Sequence, residues 1–136
     1  FKRLKKFISI RNYNRKLIIN AVKISKILNN KIQFYQANNN VNPSWFGLSI
    51  KINSKIKNIK NKIINKLENN GVETRPIISG NFAEQPSAKI YKLVKNHKFK
   101  NTDYVYNNSF FIGLPTKKIN NRFLKKIIFA FEKSFK

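Results

Sequence analysis

Cysteine is absent from the 136-residue chain, so neither a disulfide framework nor a thiolate nucleophile is available. Histidine occurs once, as His97, and the five acids are scattered along the chain. A zinc site built from His, Cys and carboxylates is thereby excluded. Methionine is absent too. A chain with no initiator that opens inside an apparent helix is expected to be a piece of a longer protein. No apolar run approaches the roughly 18 residues of a membrane span, and no signal-peptide pattern opens the chain, so no membrane insertion is expected.

Negative charge is the other scarcity: 5 Asp+Glu stand against 29 Lys+Arg, for a net charge of +24. One reading is attraction to nucleic acid or another polyanion. The other is compositional bias, because Lys, Asn and Ile are enriched together, as in Asn38-Asn39-Asn40, and Asn neutralises no phosphate. The second reading is preferred, with part of the basic excess serving an anionic substrate. What the chain does contain is apolar material, 41% of residues with 12 Phe, enough for the core of one domain spanning 1–136.

Phe7, Ile10, Tyr13, Leu17, Ala21, Ile24 and Leu28 recur at spacings of three and four, which predicts a long amphipathic helix over 4–28. A loop rich in Asn follows, with a short strand suggested at Ile32 to Tyr35. Leu48, Ile50 and Ile52 alternate with Ser49 and Lys51, the period of a strand with one covered face. A second helix, capped by Ser54, turns Ile56, Ile59, Ile63 and Leu67 inward and stops at Asn69-Asn70-Gly71. Val72 to Arg75 reads as a short strand and 87–94 as a short helix, after which polar residues lead to Asp103. Ser109 to Leu114 forms the third clear strand, before a last helix carrying Leu124, Ile127, Ile128, Phe131 and Phe135 inward. The expected fold is α/β: a two-layer sandwich of a small three-stranded sheet with helices packed on one face.

The loop from Ile77 to Pro86 contains Gly80 and gathers Arg75, Ser79, Asn81 and Gln85 within a dozen residues. Arg offers a planar fork of donors for phosphate or carboxylate, and Asn and Gln offer the paired donor and acceptor groups that read sugar hydroxyls. A surface loop with no ligand is the alternative reading of the same residues. His97 reads as a solvated surface residue.

Five motifs in order complete the picture: Asn42-Pro43-Ser44-Trp45-Phe46-Gly47, Gly71-Val72-Glu73-Thr74-Arg75-Pro76, Ser79-Gly80-Asn81-Phe82 with Gln85-Pro86, Asn101-Thr102-Asp103-Tyr104, and Phe111-Ile112-Gly113-Leu114-Pro115-Thr116. Together they resemble the C-terminal part of the DegT family, in the branch of perosamine synthases and 3-dehydratases of 4-keto-6-deoxyhexoses. The resemblance implies the small domain of a fold-type-I enzyme that aminates or deoxygenates a nucleotide-linked sugar for surface polysaccharide. The helix over 4–28 would then lead from an N-terminal domain that holds pyridoxal phosphate. A homodimer, a nucleotide-sugar substrate, an amino donor and a cytoplasmic location are implied with it. No segment here matches the surroundings of the cofactor lysine, so no catalytic, cofactor-binding or metal-binding residue is assigned. The resemblance places Arg75, Ser79, Asn81, Phe82 and Gln85 on the substrate side, although Glu84 departs from the basic residue common near that point. Arg75 could instead make an interdomain salt bridge, and Trp45 and Phe46 read as core or interface aromatics. The rival expectation is a free-standing basic module that binds nucleic acid, which needs aromatics facing outward beside Lys.

Overall fold

The computed structural model describes residues 1–53, 59–78, 80–91 and 99–136. Among these, the helices are α1 (Leu4–Ile24), α2 (Lys60–Asn69), α3 (Pro86–Ile90), α4 (Lys100–Asn108) and α5 (Asn121–Ser134), with a 3-10 turn at Phe82–Glu84. The strands are β1 (Ile32–Phe34), β2 (Gly47–Ile52), β3 (Thr74–Pro76) and β4 (Ser109–Gly113). They form one antiparallel sheet in the order β1-β2-β4-β3. The sheet therefore has four strands rather than three. The fourth is the segment 32–34, the short strand that the sequence suggests but that the three-stranded expectation leaves out.

Alternation decides what each face of the sheet meets. Leu48, Ile50, Ile52, Phe110 and Ile112 are all buried on the face covered by α1, α2 and α5. Ile63 and Leu67 of α2 and Ile127, Ala130 and Phe131 of α5 complete that layer. Asn120 caps α5 by accepting from the Phe123 N–H at 2.8 Å. Gly71 ends α2 at φ 79, with its own N–H donated to Glu68 and that of Val72 to Leu67. This is the paired bonding of a left-handed helix stop, as the sequence predicts. The expected cap Ser54, and Ile56 beside it, lie outside the described residues.

Helices do not keep to one face. α4, a helix absent from the sequence-based expectation, packs on β2 and β4 from the other side, with the Lys51 ammonium 5.8 Å from the centre of the Tyr104 ring. Its apolar residues, Tyr104, Val105 and Tyr106, are consecutive, so the segment lacks the three-and-four spacing that marks a helix.

α1 is also corrected. It stops at Ile24, and its buried line is Asn14, Ile18, Ile19 and Val22, while Tyr13 is 46% and Ile24 81% exposed. The polar Asn14 in the middle of the true stripe makes the neighbouring line look more hydrophobic. Asn14 is fully buried because it is fully used: its amide donates to the Pro115 and Lys117 carbonyls at 3.0 and 2.9 Å, and its oxygen accepts from the Ile119 N–H at 3.1 Å. It latches α1 to the loop between β4 and α5.

Candidate functional site

Arg75 stands on β3, opposite Phe111 in the β4 register. Period two turns both residues away from the main core, onto the face that Ser49 and Lys51 share. Phe46 meets Phe111 there edge-on, with ring centroids 5.4 Å apart. Gly47 permits this contact, because a Cβ on it would lie 2.5 Å from the Phe111 ring. Phe46, Phe111, Arg75, Glu73 and Gly113 line an open cleft of about 380 Å³. Phe46 is 65% exposed, so it is not a core aromatic. Trp45 behaves differently: its ring lies 4.1 Å beneath the Arg15 guanidinium, and its backbone sits at φ 30. Arg15 is in turn held by the Tyr35 carbonyl at 2.8 Å, so Trp45 belongs to the packing of α1.

The Arg75 guanidinium points two nitrogens at one oxygen of Glu73, at 3.0 and 2.5 Å. Both side chains are mostly exposed, and an exposed pair of this kind contributes about 0–1 kcal/mol. A bound phosphate or carboxylate could therefore replace Glu73 at little cost.

The other sequence candidates do not share this cleft. Asn81 is buried, donates to Asp103 at 2.6 Å, and accepts from the Ala83 N–H at 3.0 Å. Its amide ties the loop to α4 and caps the 3-10 turn, so both of its functional groups are occupied within the chain. Phe82 opens that turn and is half exposed, Gln85 closes it and is half-buried, and Ser79 lies outside the described residues, as does His97. Gly80 packs against α4 at φ 65, where a Cβ would approach the Tyr106 ring to 2.5 Å. The sequence groups these residues by proximity along the chain, whereas the fold divides them between a sheet face and a helix anchor. Phe111 and Glu73 were missed as members of the cleft. Period two along Thr74–Pro76 and Ser109–Gly113 carries the signal, since it turns Arg75 and Phe111 to one side.

Lys60 has the chemistry that imine-forming lysines share, a pKa lowered from 10.5 by burial. Its amine, however, donates to the Tyr106 carbonyl and lies 4.9 Å from that ring's centre, and it lines none of the clefts described here.

No family model matches the chain. It is 27% identical over 113 residues to the GDP-4-keto-6-deoxy-D-mannose 3-dehydratase of Escherichia coli O55:H7, a match covering 82% of this chain and 28% of that enzyme. The solved E. coli GDP-4-keto-6-deoxy-D-mannose-3-dehydratase with bound hydrated PLP superposes on 99% of the chain with a TM-score of 0.73 and 25% identity, over 32% of its own length. An aminotransferase from Psychrobacter cryohalolentis shares the fold over 98% of the chain, with a TM-score of 0.73 at 13% identity and 35% of its length. The chain therefore spans about a third of the length of these relatives, and it matches the C-terminal part of such pyridoxal-phosphate enzymes.

Proposed function

From this kinship with pyridoxal-phosphate enzymes of nucleotide sugars, we propose that the chain is the C-terminal small domain of an enzyme that aminates or deoxygenates a nucleotide-linked 4-keto-6-deoxy sugar for surface polysaccharide. The observation that carries the reading is the match to a 3-dehydratase along most of the chain, together with superposition of nearly all of it on that enzyme's fold. The comparisons give no support to a free-standing nucleic-acid module.

In this reading α1 leads from the cofactor-holding domain, and the protein works in the cytoplasm as a homodimer with an amino donor. Pyridoxal phosphate, bound by that other domain, supplies an electron sink. This chain supplies binding and orientation. Arg75 exchanges Glu73 for an anionic group of the substrate, and Phe46 and Phe111 give the cleft an apolar wall against which a sugar ring can rest. Asn81 holds the loop to α4 through Asp103 and keeps the 3-10 turn that carries Phe82 and Gln85 in place.

The test is Arg75→Lys in the longer protein that includes the cofactor domain. Charge is kept and the fork is lost, so the Michaelis constant for the sugar nucleotide should rise about tenfold while that for the amino donor stays unchanged. Unchanged sugar-nucleotide affinity with a lower melting temperature would instead make Arg75 a contact between domains, and would remove it from the substrate site.

A further inference from the structure

A second concavity, of about 700 Å³, lies between the first two turns of α1 and the loop after β4. Arg3 and Lys6 line one wall, and Thr116, Lys117 and Lys118 the other. Phe7 and Ile10 form an apolar floor, and Ser9 adds a hydroxyl. In a chain of charge +24, basic surface alone signifies little. Three observations distinguish this groove from the rest of that surface.

First, no acid lines it. Four of the chain's five acids are engaged elsewhere: Glu68 with Thr74, Glu73 with Arg75, Asp103 with Asn81, and Glu132 with Ser25. Arg3, Lys6, Lys117 and Lys118 line it together with no carboxylate among them, and a bound anion would relieve their mutual repulsion. Second, the loop is already shaped. Asn14 fixes the backbone at Pro115, Lys117 and Ile119, so Thr116 and the two lysines start from a set position, and less ordering is required on binding. Third, the Lys118 ammonium lies 5.1 Å from the centre of the Tyr13 ring, which holds one donor at the rim. The volume is that of a small-molecule site rather than of a macromolecular surface.

We infer that this groove binds a diphosphate, with Arg3, Lys6, Lys117 and Lys118 neutralising its oxygens and the Thr116 hydroxyl donating to one of them. The inference is independent of the role given to Arg75. Its test is titration of the longer protein that includes the cofactor domain with inorganic pyrophosphate, followed by calorimetry and amide NMR, in two charge-matched variants. Lys117→Gln/Lys118→Gln removes two exposed cations from the groove. Lys62→Gln/Lys125→Gln removes two exposed cations from helices that do not line it. The groove variant should bind pyrophosphate about tenfold more weakly, and the control should stay within about twofold of the parent. Shift changes should centre on Ser9 and Thr116. Equal weakening in both variants, or shifts spread over the whole surface, would mean diffuse attraction to a basic protein and would overturn the site.

Discussion

At the scale of single residues, two asparagines show how a polar side chain in a small α/β domain is spent. Asn14 satisfies two carbonyls and one N–H inside the protein, and Asn81 satisfies one carboxylate and one N–H. Replacing either with Ala leaves its partners behind, and stranded buried groups cost more than the bonds contributed. Asn14→Ala should destabilise the chain by about 3 kcal/mol in urea unfolding, and Asn81→Ala by about 1–2 kcal/mol because part of its environment is open to water. The Asn81 result also bears on function. A residue that reads a sugar hydroxyl would change substrate affinity with the stability intact, whereas the anchor described here predicts the reverse order of effects. From the sequence, Asn81 looked like a reader because a planar amide suits either role. Only the position of Asp103, 22 residues further on, decides between them.

At the scale of elements, most of the architecture is legible where apolar spacing is clean. β2 and α5 face the core with the residues their periods nominate, and α2 stops at the glycine that permits a left-handed turn. Legibility fails where a polar residue is buried or apolar residues cluster. Asn14 disguised the inward line of α1, and the run Tyr104-Val105-Tyr106 hid α4. The cleft was half legible: Arg75 was found by its chemistry, but its neighbours Phe46 and Phe111 needed the strand register. Two glycines allow a quantitative check. Both have positive φ, but a side chain at Gly71 meets nothing within 4 Å, while one at Gly80 collides with the Tyr106 ring. Gly71→Ala should cost about 1 kcal/mol from backbone strain alone. Gly80→Ala should cost about 1–3 kcal/mol more, since the loop and α4 must move apart. The pair can be compared by thermal denaturation of the two variants, and equal losses would show that the Tyr106 contact yields freely.

At the scale of the whole molecule, charge dominates. Glu73–Arg75 is the one salt bridge recorded among the described residues, and it is exposed, so the net +24 goes largely uncompensated in the folded state. Self-repulsion of this kind weakens a compact state and is screened by salt. The melting temperature should therefore rise between low salt and about 0.5 M NaCl, where the screening length has fallen to a few ångströms. In the same experiments any binding to random DNA should be strong only at low salt and indifferent to sequence. A melting temperature that falls with salt would show that the excess cations are held by pairings within the fold.

The latch at Asn14 has a consequence for how the molecule opens. Its three bonds join positions 101 to 105 residues apart, in a chain with no cysteine to do so covalently. Unlike a disulfide, it disappears on unfolding, so it leaves the unfolded ensemble unrestricted and acts only on the native side of the equilibrium. It makes the first helix and the last loop a single unit of opening. α1 cannot peel away without releasing the segment that leads into α5, and α5 cannot fray from its start without exposing the buried amide. Hydrogen exchange should therefore report the amides near Asn14 and the Ile119 amide opening together, at one free energy, although they lie near opposite ends of the sequence.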